Sequence, residues 1–284
     1  ICSLSPALAQ DKVTLGYVEW SSAVASTNLV KAVLQEKMGY SCEIKPMAAD
    51  EIWQAVAEGK IDAMLSAWLP VSQAHYYAQH KDQVLNLGPN LKGVKIGLVV
   101  PKMTISRKIA ATGKRNQPYV TVDSIPELKD YAAKFNHKIV GIDPESGIME
   151  KTKEAMQVYG LDNFRLVSGS EVSMLAEFND AIRKNKWIVV TGWVPHWKFA
   201  RWPLKFLEDP QNVFGGKQHI NTIARMGLEQ DMPKVYALLD NFKWTIEDMS
   251  QVILWNRTDH GSYPYGNALR FIQSRRSLVD SWLP

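Results

Sequence analysis

The chain reads as an α/β protein of two lobes, and three observations carry that reading. Short β-branched apolar runs alternate with helix-length amphipathic segments along most of the sequence, the pattern of parallel sheets flanked by helices. The alternation comes in two sets, one over about 12–100 and one over about 124–191. A later strand-like run at 219–225 turns back toward the first set. Chain crossings near Val100 and near His219 then make a clamp of the kind that closes on a ligand by hinge motion.

In the first set, residues 13–18 form a strand and 21–38 a helix, with Ser21 or Ser22 as its N-cap. Residues 41–46 are a second strand. Residues 50–58 are a helix capped by Asp50 and ended by Gly59. Residues 61–66 complete a right-handed β-α-β-α-β unit. A helix over 71–80 and a strand over 94–100, stopped by Pro101, close the set. In the second set, Ser124 caps a helical run, and residues 138–142 are a strand. A helix over 147–159 ends at Gly160. A short strand at 165–167 precedes a helix over 170–183 with a Ser-Glu start. The apolar run 186–190 is a buried strand ending at Gly192, and Pro195 stops its pairing and opens a short helix. From Met232 to Leu283 the chain is helical, broken over 259–264.

Composition bounds the function. Of 284 residues, 46% are hydrophobic and 22% charged, an ordinary globular balance. The net charge of +4 comes with no basic stripe, which argues against a nucleic-acid partner. Residues 1–10 read as the tail of a secretory signal. Ala7-Leu8-Ala9 fits the small-x-small cleavage rule, so residues 1–9 are a signal remnant; lipid attachment at Cys2 is the alternative. Cys42 is then the one mature thiol, and no intrachain disulfide is expected. No run is long and apolar enough for a spanning helix. The expectation is a soluble exported protein.

Three strands end in tryptophan. Residues 13–20 end in Trp20, residues 61–68 in Trp68 before Pro70, and Trp193 sits just past Gly192. Open α/β folds bind ligands at strand C-terminal ends. Three indole faces there can enclose a cation that has no N–H to donate, such as a quaternary ammonium. The anion candidate is the turn 141–149, where a strand ends and a helix begins at about Gly147. The first N–H groups of a helix lack internal partners and carry partial positive charge, which suits a carboxylate or phosphate. No Gly-x-Gly-x-x-Gly dinucleotide fingerprint is present.

Taken together, Tyr17-Val-Glu-Trp20 with Ala25-Ser-Thr-Asn28, Ser66-Ala-Trp-Leu-Pro70, Gly97-Leu-Val-Val-Pro101, the 141–149 turn and residues 191–197 resemble the glycine betaine-binding proteins of ABC importers, the OpuAC-like family. The resemblance runs from about Val13 to Trp244. It implies a two-lobed periplasmic-binding-protein fold, each lobe a mainly parallel sheet flanked by helices, with residues 10–101 and 218–284 in one lobe and 102–217 in the other. It implies that Trp20, Trp68 and Trp193 form a prism around a quaternary ammonium, and that the Gly147 and Ile148 amides hold a carboxylate. It further implies a periplasmic monomer without cofactor or catalytic residues that delivers a small zwitterion to a membrane permease.

One position departs from the family pattern, which has a carboxylate-binding His five residues after the second Trp. Here that residue is Gln73, and the nearest histidine, His75, is about 200° away on a helix. Gln73 donates an amide N–H, or the acidic end is held differently; His75 stays a second candidate. Glycine betaine, proline betaine, carnitine, choline and dimethylsulfoniopropionate all remain open as ligands, and an exported enzyme acting on a quaternary amine is the rival class. His75 and His80 are poorly spaced for a metal. His196 with Asp143 or Glu145 could be drawn as an acid–base pair, but no nucleophile motif accompanies them, and His196 is expected to pack beside the cage. Trp53, Trp187, Trp244 and Trp255 are expected in the core; Trp197 and Trp202 are ambiguous, and either could buttress Trp193.

Overall fold

A computed structural model describes residues 12–102 and 120–284. The signal remnant and Cys2 lie outside the described residues. In chain order the elements are β1 (Lys12–Tyr17), α1 (Ser21–Glu36), β2 (Ser41–Pro46), α2 (Ala49–Ala57), β3 (Ala63–Leu69), α3 (Ala74–His80) and β4 (Val84–Pro101). A 3₁₀ helix (Ile125–Phe135) leads to β5 (Lys138–Val140), α4 (Gly147–Val158), β6 (Arg165–Val167), α5 (Glu171–Arg183), β7 (Val189–Val194), α6 (Lys198–Arg201) and β8 (Leu204–Phe206). Then come β9 (Lys217–Arg225), α7 (Leu228–Asp231), α8 (Pro233–Asn241), α9 (Ile246–Thr258), α10 (Pro264–Ser274) and α11 (Arg276–Asp280).

The strands make one sheet, ordered β2-β1-β3-β9-β4-β7-β5-β6, with β8 beside β4. Each lobe is built around a parallel pair of ladders: β1 with β2 and β3 in the first, β5 with β6 and β7 in the second. The lobes are more continuous than the alternation pattern suggests. Strand β9 runs antiparallel to β3 and β4, and β4 runs antiparallel to β7 and β8. Strand β4 exchanges partners at Lys95, which pairs with Lys217 of β9 and Val194 of β7. Strand β4 begins ten residues before the run 94–100, at Val84, and its first half carries the turn-forming residues Asn86, Gly88, Pro89 and Asn90. They are absorbed as register shifts in the β4–β9 ladder.

Two expected caps are corrected. Helix α1 is capped by neither serine; Trp20 takes the N-cap position with extended backbone and no side-chain cap. The Ser21 N–H is satisfied instead by Glu171 Oε2 at 2.9 Å. In α2, Asp50 lies inside the first turn and Ala48 is the N-cap, with Glu51 reaching back to the Ala48 N–H. By contrast Ser170 caps α5 as its sequence indicates, accepting from the Ser173 N–H.

The core lies on both faces of the sheet. Trp53 and Trp244 are buried within it, while Trp187 and Trp255 pack against its edge. Helix α1 packs on α10, so the chain's end covers its beginning, and Lys37 pairs with Asp280 across that contact.

Candidate functional site

Each predicted tryptophan is set by its strand. Trp68 pairs with Ile220 near the end of β3. Trp193 does not lie past its strand: β7 runs on to Val194, with Trp193 opposite Ile96. The ladder stops only where Pro195 lacks an N–H. Trp20 leaves β1 through a tight turn in which its N–H donates to Val18 O. All three indoles are at most 8% exposed and line one small cavity between the lobes. Ile96 and Ile142 complete its apolar wall.

The same cavity takes Gly147, Ile148 and Gln73 into its lining, but not His75. Gly147 and Ile148 open α4, so their N–H groups have no intrahelical acceptor, and they meet no other acceptor among the described residues. Gln73 is buried, and its Oε1 accepts the Trp68 N–H at 3.0 Å. A backbone N–H can only donate, so this bond fixes the amide orientation and leaves the Gln73 NH₂ as the free donor. The His75 imidazole is half-exposed and pairs with Glu150 at 2.8 Å, because it points from α3 toward the outer side of α4.

Sequence reasoning did not find the hydroxyls at the site. The Ser72 hydroxyl is spent on Gln218 and that of Ser146 on Asp143 O. Ser22 is buried in the lining, and its Oγ has no partner among the described residues.

Behind Trp193 lies a buried ionisable cluster. The His196 ring meets Trp193 edge-on at 4.9 Å. His196 Nδ1 accepts the Lys198 N–H at 3.0 Å, so a neutral ring carries its proton on Nε2. Nε2 lies 3.0 Å from Glu171 Oε1, oblique to ideal hydrogen-bond geometry. His196 packs beside Trp193 as its sequence position leads one to expect, and the acid–base pair that could be drawn with Asp143 or Glu145 is not formed; Glu171 stands in that place. Burial, reinforced by the Lys198 charge, pushes the imidazole down to about 4. Burial favours a neutral Glu171, but His196, the Ser21 N–H and Lys198 outweigh it and hold the carboxyl below its usual range. The fully buried Lys198 ammonium sits 4.3 Å from the Trp193 ring centroid and donates only a long bond to Thr191 O. Burial pushes it down to about 7, against the pull of Glu171. Trp197 lies between His196 and Trp202 with both ring pairs tilted, so both tryptophans stand on the side of His196 away from Trp193 or beside it.

The two lobes touch around this cavity. Trp20 Nε1–H donates to Asp143 Oδ2 at 2.9 Å, and Tyr76 O–H donates to Glu145 O at 3.0 Å. The Arg257 guanidinium lies 4.6 Å from the Trp197 ring. At Gly147 an added Cβ would fall 1.6 Å from Ser72 O. The missing side chain thus admits the facing lobe's backbone, as well as any ligand.

A two-lobed α/β clamp, shut over a small aromatic cavity with free amides at one end, defines a solute-binding protein. The chain belongs to the OpuAC family, the substrate binding domain of ABC-type glycine betaine transport systems, whose model matches residues 11–274. It is 40% identical over 176 residues to the glycine betaine/carnitine transport binding protein GbuC of Listeria monocytogenes serotype 1/2a (strain 10403S). That match spans 61% of this chain and 56% of the Listeria protein. Its fold is similar to the crystal structure of the glycine/betaine/L-proline-binding protein ProX from Borrelia burgdorferi: TM-score 0.88, 36% identity, 96% of this chain and 97% of that one. Lactococcal OpuAC, in its closed form complexed with glycine betaine, is also 36% identical, with a TM-score of 0.86 over 97% of this chain and all (100%) of that one.

Proposed function

We propose that this chain is the extracytoplasmic binding protein of an ABC importer and captures a small zwitterion with a quaternary-ammonium or sulfonium head, such as glycine betaine, for a membrane permease. It acts by capture and release and has no catalytic role. Residues 10–101 with 218–284 form one lobe and 102–217 the other. Trp20, Trp68 and Trp193 enclose the cation, and the Gly147 and Ile148 amides with the Gln73 NH₂ hold the carboxylate. The observation that supports this reading is the meeting, in one cavity between the lobes, of three indoles with two helix N-terminal amides that have no partner among the described residues.

The cage offers π faces and contact area but few acceptors, so it favours a methylated cation over a primary amine. Each face contributes roughly 0.5–2 kcal/mol. Each charge-assisted bond to the carboxylate contributes roughly 1.5–3 kcal/mol. Calorimetry with glycine betaine, choline and glycine tests both ends. Glycine betaine should bind most tightly, and replacing Trp20, Trp68 or Trp193 by Ala should each cost about tenfold or more. Wild-type affinity in all three variants would remove the cage, and choline binding as tightly as betaine would remove the anion site.

A further inference from the structure

Two carboxylates of the second lobe converge on one corner of the first. Asp143 Oδ2 accepts the indole N–H of Trp20, and Glu171 Oε2 accepts the backbone N–H of Ser21, both at 2.9 Å. The corner has no cap of its own: Trp20 is the N-cap of α1 and supplies no side-chain hydrogen bond to it. An orphan helix N–H carries partial positive charge, so an ionised carboxylate is a strong acceptor there. Glu171 is 7% exposed, which shields that bond from water. Its other oxygen faces His196, which in turn lies edge-on against Trp193. One carboxylate therefore spans the space between two cage walls that belong to opposite lobes.

We infer that Asp143 and Glu171 are positioning residues that latch the Trp20–Ser21 corner when the lobes close. The latch sets the indole of Trp20 in register with Trp193, so the cage is complete only in the closed state. This rests on the binding role proposed above. Both latch bonds cross the cleft and are broken when it opens. Their loss should then fall on the closed, liganded form and on ligand release, and not on the stability of the open protein. The Glu171–His196 contact lies within one lobe and persists in both states.

The test uses the full chain with glycine betaine as the probe and the substitutions Asp143→Asn and Glu171→Ala. Asp143→Asn keeps the volume and an acceptor oxygen but loses the charge. Glu171→Ala removes the acceptor. Dissociation rates from stopped-flow tryptophan fluorescence should rise by about tenfold in each variant, with association rates little changed. The unliganded melting temperature of Asp143→Asn should equal that of the unsubstituted chain. If Glu171→Ala melts early because His196 loses its partner, Asp143→Asn alone still decides the matter. Unchanged release rates in Asp143→Asn, or a fall in unliganded melting temperature that accounts for its weaker binding, would overturn the latch. Failure of the unsubstituted chain to bind glycine betaine would overturn the ligand reading and the latch together. Binding by the unsubstituted chain with unaltered release in both variants would overturn the latch alone.

Discussion

Gly147→Ala should abolish tight ligand binding while leaving the unliganded protein as stable as before. Gly147 is the first residue of α4, and a Cβ there would lie 1.6 Å from Ser72 O and 2.3 Å from its carbonyl carbon. Ordinary contact begins at 3.4 Å, so the lobes would have to stand back by about 1.8 Å at this point. Both obstructing atoms are backbone, and Ser72 is tied by its N–H and Oγ to Gln218, so no rotamer change relieves the clash. A shift of that size takes the Tyr76–Glu145 bond, now 3.0 Å, out of hydrogen-bonding range. It also draws the Gly147 and Ile148 amides away from the tryptophans of the facing lobe. Losing two charge-assisted bonds costs about 3 kcal/mol or more, which is at least a hundredfold in affinity. Once the lobes part, Ser72 of the first lobe leaves that space, and Ala is the better helix former by up to about 1 kcal/mol, so the unliganded protein should lose nothing. Calorimetry with glycine betaine and thermal melting without ligand would measure the two effects. Binding within threefold of the unsubstituted chain would show that the closed packing of Gly147 on Ser72 is not the liganded arrangement.

Gln73→Glu keeps the acceptor for the Trp68 N–H but exchanges the donor NH₂ for an anionic oxygen; betaine affinity should fall by about a hundredfold, and choline, lacking a carboxylate, should be spared in the same titration. Lys198, pushed down to about 7 by burial, is charged below that pH and neutral above it. Its ammonium, which also faces Glu171 and His196, sits 4.3 Å from the ring centroid of Trp193, a wall of the cavity that Lys198 does not itself line, so its positive charge opposes a bound cation. Affinity should therefore rise between pH 6 and pH 8, and Lys198→Met should flatten that profile in calorimetry. His196 is pushed from its ordinary 6.5 to about 4, so between those values the unfolded chain binds a proton that the folded chain refuses. The His196 contribution is then complete above pH 6.5 and declines by up to ~1.4 kcal/mol per pH unit as pH falls toward 4, a slope that denaturant titrations should show and His196→Gln should reduce.

Much of the site could be read from sequence because its residues sit where local patterns are strong. Trp20, Trp68 and Trp193 each end an apolar strand run, and Gly147 stands at a strand-to-helix turn. Strand β7 ends at Val194, two residues beyond Gly192, because the glycine does not interrupt the ladder and pairing runs on until Pro195. What could not be read is the set of contacts made only when the lobes meet. Nothing local marks Asp143 as the partner of Trp20, since 123 residues separate them. Glu171 looks like a routine acidic residue in the first turn of a helix, yet it caps a different helix 150 residues away. The buried ammonium of Lys198 is hidden in the same way, as a charged residue in a short surface-like segment that turns its amine inward beneath Trp193.

The continuous sheet also dictates an order of assembly. The second lobe draws its strands from one unbroken stretch, since the end of β4 pairs with β7 and β8 that follow it. The first lobe cannot finish its sheet that way. Strand β3 waits for β9, with Ala63 opposite Ala224 and Leu69 opposite His219, and α1 waits for α10. As the chain emerges from a ribosome or a translocation pore, the inserted lobe has all its partners first. The lobe that holds the N-terminal strand stays open-edged until the last quarter of the chain arrives. Pairings across such long sequence separations form slowly, and an unpaired strand edge is a site for aggregation until they do. For this protein the vulnerable interval of biogenesis is therefore the wait of β3 for β9.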